Sequence, residues 1–105
     1  MAITTVLIDQ AAPEFTVALS SSYLGASDYI ECLGAKSVDV WCDDATLEMT
    51  IKWSFDGGTS FTPDLPLGTG SPVYTIDVPA GRVLTLDAKS DSGTPNIGGS
   101  LVGPA

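Results

Sequence analysis

The stretch Thr46-Leu-Glu-Met-Thr-Ile-Lys-Trp-Ser-Phe55 decides the fold class. Leu47, Met49, Ile51, Trp53 and Phe55 fall on every second position, with Glu48, Thr50, Lys52 and Ser54 between them. Successive side chains of a strand point to opposite faces, so this period-2 pattern reads as a β-strand with one dry and one wet side. The run stops at Asp56-Gly57-Gly58, where glycine supplies the positive φ that a chain reversal needs. On this reading Trp53 is buried between sheets, and its truncation to alanine costs ~3–5 kcal/mol.

Outward from this strand the same alternation recurs. Residues 3–9 are rich in β-branched side chains, and Phe15, Val17 and Leu19 alternate after the break at Pro13. Segments 27–33 and 37–43 read as a hairpin around Gly34-Ala35-Lys36. Tyr74, Ile76 and Val78 make a later strand, Leu84, Leu86 and Ala88 another, and Asn96–Val102 a thin, glycine-containing last one. Phe61 is assigned to a short return strand. Residues 62–72 hold three prolines and two glycines and read as a long loop. The expectation is one domain over residues 1–105: an antiparallel β-sandwich, jelly-roll-like, of about eight strands, without a convincing helix. The end from residue 103 should fray.

Composition narrows the function classes. Thirteen acidic residues oppose four basic ones, Lys36, Lys52, Arg82 and Lys89, for a formal charge of −9. Such a chain is repelled by a phosphate backbone and by anionic lipid, so neither nucleic acid nor membrane is expected as a partner. Residues 1–9 lack a basic leader region, and no run approaches the ~20 apolar residues of a membrane span. In the expected hairpin Cys32 and Cys42 are offset by roughly 7–13 Å, beyond disulfide reach, so both thiols are expected to be free, buried and in a reducing compartment.

There is no histidine, which removes the commonest general base and most zinc sites. Glu31 and Asp39 would share one face of the hairpin, where a carboxylate pair could do glycosidase chemistry, but a solvated acidic face is the better reading of them. Asp43, Asp44 and Asp56 are candidate calcium ligands without EF-hand spacing. No catalytic residue, metal or cofactor is assigned.

Two resemblances add to this. Ser54-Phe-Asp-Gly-Gly-Thr-Ser-Phe61 resembles the Asp-box, Ser-x-Asp-x-Gly-x-Thr-Trp, with Ser60 and Phe61 in place of threonine and tryptophan. In that family the aspartate caps a hairpin turn and is not catalytic, which implies a structural turn at Ser54, Asp56, Gly57 and Gly58. More broadly, the strand ending Ile51-Lys-Trp-Ser-Phe-Asp-Gly-Gly58 and the Pro79-Ala-Gly-Arg-Val-Leu-Thr-Leu86 segment resemble small bacteriophage virion β-sandwich proteins of the capsid decoration or cement class. That resemblance implies a non-enzymatic virion structural protein, made in the host cytoplasm. Its partner would be the major capsid protein or another virion protein, and it would form a homo-oligomer.

The expected partner-binding residues are Tyr29, Leu33 and Trp41, placed on the outer face of the hairpin, with Leu65, Pro66 and Leu67 in the long loop. Exposed aromatic patches mark interfaces. The alternatives are a carbohydrate-binding sandwich using Tyr29 and Trp41 as a stacking platform, and a tail- or fibre-associated phage module.

Overall fold

The computed structural model describes residues 3–104. Met1 and Ala2, which enter the leader argument, and Ala105, at the fraying end, lie outside them. Nine strands form two sheets: β1 (Thr4–Leu7), β2 (Glu14–Ala18), β3 (Ile30–Leu33), β4 (Ser37–Cys42), β5 (Met49–Ser54), β6 (Leu65–Leu67), β7 (Tyr74–Asp77), β8 (Leu84–Ser90) and β9 (Asn96–Val102). The order is β1-β3-β8-β5-β6 in one sheet and β2-β9-β4-β7 in the other. The described residues contain no helix.

The chain changes sheet at every connection except β5–β6, which is the one hairpin between consecutive strands. The expected hairpin of residues 27–43 is therefore absent. β3 pairs with β1 and β8, whereas β4 pairs with β7 and β9. Gly34-Ala35-Lys36 is a corner between the sheets. Ala35 is buried in it, and Lys36 bonds across to Val102 and Val78. A corner and a hairpin both keep Ile30 and Cys32, then Val38, Val40 and Cys42, facing inward, so alternation alone does not separate them.

Two further expectations are corrected. The sheets are not purely antiparallel, because β1 runs parallel to β3; β2, lying in the opposite sheet, returns the chain so that both enter in the same direction. The proline-rich segment is not all loop. Leu65–Leu67 forms an edge strand on β5, with Pro66 opposite Thr50, and an edge tolerates proline where the missing N–H faces outward. Phe61 belongs to no strand.

The core lies between the two inner faces. β3, β5 and β8 supply Ile30, Cys32, Met49, Ile51, Leu84 and Leu86, and β4 and β9 supply Val38, Val40, Cys42 and Ile97, all essentially inaccessible. Each large apolar side chain buried this way contributes ~1.5–3 kcal/mol. Phe15 of β2 lies directly opposite Gly99 of β9, and its ring fills the space a side chain there would need. Trp53 points inward from the end of β5 but is only half-buried. Its ring meets Tyr74 of the facing sheet at 5.6 Å between centroids. Cys32 and Cys42 are free and buried, one in each sheet. Their separation follows from that placement, and the hairpin offset does not apply.

Candidate functional site

The two outer faces differ in kind. On the five-stranded sheet, the outward residues Thr50, Ser54, Thr85 and Asp87 are buried, because segments 20–29 and 55–64 lie over them. Asp87 is only 2 % exposed. Its Oδ1 accepts hydrogen bonds from the backbone N–H groups of Leu24 (2.8 Å), Ala88 (2.9 Å) and Gly25 (3.4 Å), which tie the covering segment to β8. Burial pushes the Asp87 carboxyl above the ordinary aspartate range, against those hydrogen bonds and the Lys52 charge.

Lys52 sits opposite Asp87 in the ladder, and its Nζ lies 4.2 Å from the Tyr23 ring centroid and 4.8 Å from that of Phe61. Such contacts are worth ~0.5–2 kcal/mol. Tyr23 donates its hydroxyl to Asp64 at 2.6 Å, and burial, with the Asp64 carboxylate next, raises its pKa strongly. Tyr29 stacks on Phe61 at 5.4 Å, seated over Gly58. These groups are consumed in closing a loop over a sheet.

The Asp-box-like segment is a self-contained turn. Ser54 Oγ donates to Asp56 Oδ1 (2.5 Å) and accepts from the N–H groups of Asp56 (3.2 Å) and Gly58 (3.0 Å). Asp56 Oδ1 also accepts from Ser60 N–H at 2.9 Å. Gly57 and Gly58 both have positive φ, 75° and 95°. Hydrogen bonds from Ser54 and then Ser60 hold the Asp56 carboxyl below its usual range. An open cleft of about 390 Å³ lies beside this turn, lined by Phe55, Asp56, Pro79 and Arg82.

The four-stranded sheet keeps an uncovered face. Its outward residues are Glu14, Thr16 and Ala18 on β2, Ser100 and Val102 on β9, Asp39 and Trp41 on β4, and Thr75 and Asp77 on β7. Trp41 is opposite Gly98, and a Cβ at Gly98 would stand 2.6 Å from the indole Nε1 and 2.8 Å from Cε2. The ring thus rests on the bare backbone of β9, half-buried, with its remaining surface toward solvent. Continuing the β4–β7 register one step past Val40 and Tyr74 places Val73 beside Trp41. Val73 is 63 % exposed, the most open large hydrophobic side chain among the described residues. Asp39, which accepts the Thr75 hydroxyl at 2.6 Å, and Ser100 opposite it form the polar rim.

The residues expected to bind a partner are thus dispersed. Trp41 is on the uncovered face, and Tyr29 is on the opposite side of the sandwich, under a loop. Leu33 is half-buried next to Leu7 on β1. Leu67 is 7 % exposed and belongs to the core, Leu65 packs against it, and Pro66 alone of the three is exposed. Glu31 and Asp39 occupy opposite outer faces, so they cannot share a glycosidic bond. Asp43 bonds the backbone and side-chain nitrogens of Asn96, and Asp44 caps Thr46, which lowers its pKa. Among the described residues no group of three or more cysteines, aspartates or glutamates is placed to hold a metal ion.

Val73 was missed because it follows Pro72 at the end of a loop-like segment, and its neighbour depends on the β4–β7 pairing. No protein-family model matches the chain, and comparison with curated proteins finds no match either.

Proposed function

We infer that this protein is a non-enzymatic structural subunit of a bacteriophage particle, a capsid decoration or cement protein that docks its Trp41/Val73 face on a repeated protein lattice. The observation that carries the reading is the apolar pair itself. The Trp41 ring rests on the bare backbone at Gly98, and extending the β4–β7 register one step past Tyr74 brings the exposed Val73 in line with it, among polar residues on the open outer face of the four-stranded sheet. Aromatic anchors in such surroundings dominate protein interfaces.

The winding of β2 to β9 supports it. The orders β2-β9-β4-β7 and β3-β8-β5-β6, with the chain changing sheet at every step but β5–β6, match the winding of an eight-stranded jelly roll with β1 added at an edge. Jelly rolls serve in viral capsids and in lectins. Fold alone does not assign function, so the weight rests on the face.

One feature favours a second reading, a sugar-binding site. A flat indole with Asp39, Thr75 and Ser100 at its margin offers stacking and hydrogen bonds to a saccharide. Val73 argues for protein, since an aliphatic group this exposed gains most from a dry partner. The test runs a glycan array beside co-sedimentation with capsids and tails built from the proteins encoded next to this chain. The virion reading expects sedimentation and no glycan binding. Trp41→Ala with Val73→Ser should weaken retention by roughly 30-fold or more, the effect of losing a ~2 kcal/mol hot spot. Saturable binding to an oligosaccharide, with none to either assembly, would establish the sugar reading instead.

A further inference from the structure

We propose that two copies of this chain associate through the free edge of β1, extending the five-stranded sheet into a continuous ten-stranded one about a two-fold axis. The sandwich has four edges, β1 and β6 in one sheet and β2 and β7 in the other. Exposed edges are templates for further pairing unless blunted by charge or proline. Three are blunted: β2 begins Pro13-Glu14, β6 has Pro66 at its centre between Pro63 and Asp64 on one side and Gly68 on the other, and β7 ends Asp77-Val-Pro79. β1 has neither device. Ile3-Thr-Thr-Val-Leu-Ile8 carries no charge, no proline and no glycine.

The hydrogen-bonding direction is set by the parallel ladder. Thr4 and Ile8 donate to Tyr29 and Leu33, so Ile3, Thr5 and Leu7 turn their backbone groups outward. At Leu7 those groups are held by Gln10, whose Oε1 accepts from Leu7 N–H at 2.7 Å and whose N–H donates to Leu7 C=O at 3.1 Å. The Gln10 side chain is a removable cap on Leu7 N–H, whereas Leu7 C=O is held by the backbone of the turn that ends the strand.

A second copy fits this edge because the strand is self-complementary. Antiparallel pairing centred on Thr5 sets each Ile3 against the partner's Leu7. These are two of the few exposed large hydrophobic side chains, 42 % and 43 % accessible, and Leu33 lies beside Leu7. Charge selects the same edge. Two chains of net charge −9 repel generally, but no acid lies within the paired segment. The two Asp9 residues, four positions beyond Thr5 in opposite directions, fall about 26 Å apart at ~3.3 Å per residue, beyond the ~8 Å screening length.

A strand this short buries less than the ~1,200 Å² typical of a stable complex, so the dimer is weak and concentration-dependent. It becomes effective where copies are already held near one another.

The experiment is sedimentation velocity on the full chain from about 10 µM to about 1 mM, the range in which so small an interface populates a dimer. A reversible monomer–dimer equilibrium is expected. Leu7→Lys places a charge on an already exposed position and should weaken association roughly tenfold or more. Thr5→Pro removes the central outward N–H and should do the same, with the thermal transition checked to keep folding separate. Gln10→Ala removes the side-chain acceptor and frees the Leu7 N–H, while the backbone bond from residue 10 to Leu7 C=O stays, and should strengthen association about threefold. A chain monomeric at every concentration, or a dimer indifferent to all three changes, would overturn the proposal.

Discussion

Gly98 and Gly99 are adjacent in β9 yet should respond oppositely to alanine. A Cβ at Gly99 would lie 2.0 Å from Cζ and 2.2 Å from Cε2 of Phe15, against ordinary contact at 3.4–4 Å. Phe15 is 6 % exposed, so its ring must move by more than an ångström within a filled core. Overpacking of this kind costs ~1–3 kcal/mol, and replacing glycine by alanine in a strand returns ~0.5–1 kcal/mol. The net loss for Gly99→Ala is about 1 kcal/mol at the middle of these ranges and up to about 2.5 kcal/mol for so large a displacement. At Gly98 the new Cβ would meet the Trp41 indole, which is half-exposed and can swing toward solvent. There the two effects nearly cancel, within ~0.5 kcal/mol. Urea unfolding of both variants measures the difference, and the thermal midpoints should differ by roughly 4–8 °C per kcal/mol. Phe15→Leu should partly rescue Gly99→Ala, because the two sites share one space. Equal stability of the two glycine variants, or a larger loss at Gly98, would refute the placement of Phe15 inside and Trp41 outside.

Trp53→Ala should cost ~2–3 kcal/mol in denaturant unfolding, below the ~3–5 of a fully enclosed aromatic, with ~0.5–1.5 of that coupled to Tyr74 in a double-mutant cycle. Burial, reinforced by Glu31, pushes the Cys32 thiol up to about 12, and both cysteines are enclosed in the core, so neither should take up a thiol reagent in the native protein and both should after unfolding, by intact mass; early labelling would show an open core. Asp87 binds its proton more tightly in the folded chain than in the unfolded one, because burial raises its pKa. Its contribution to stability is therefore present at low pH and is lost as pH rises from about 3.9 through the raised value; Asp87→Asn should remove that part of the pH profile, and an unchanged profile would mean that Asp87 titrates normally.

The local grammar of the fold was legible. Alternation in residues 46–55, 74–78 and 84–88 marked the strands β5, β7 and β8, and Asp56-Gly57-Gly58 marked the turn after β5. Pairing was not legible. Gly34-Ala35-Lys36 carries the small residues of a hairpin but turns a corner, because Ala35 is apolar and is buried between sheets. That one difference moved Tyr29 away from Trp41 and separated Glu31 from Asp39. Residues 65–67 hid as a loop because proline weighs against a strand, although an edge admits it. Asp87 also escaped notice: an aspartate in Leu-Thr-Leu-Asp-Ala reads as outward and wet, and only the covering segment 20–29 makes it buried. The candidate site was half visible, through Trp41, and its partner Val73 required the β4–β7 register.

On the proposed function, the Trp41/Val73 face holds this protein on a particle. The most direct measurement is the number of copies retained per purified particle as the concentration of added protein is raised, for the native chain and for Trp41→Ala. Saturation is expected at a fixed number set by the lattice, insensitive to added oligosaccharide, with near-complete loss in Trp41→Ala while its unfolding transition stays cooperative. Absence of saturation, or equal retention of the folded Trp41→Ala variant, would contradict the proposed function.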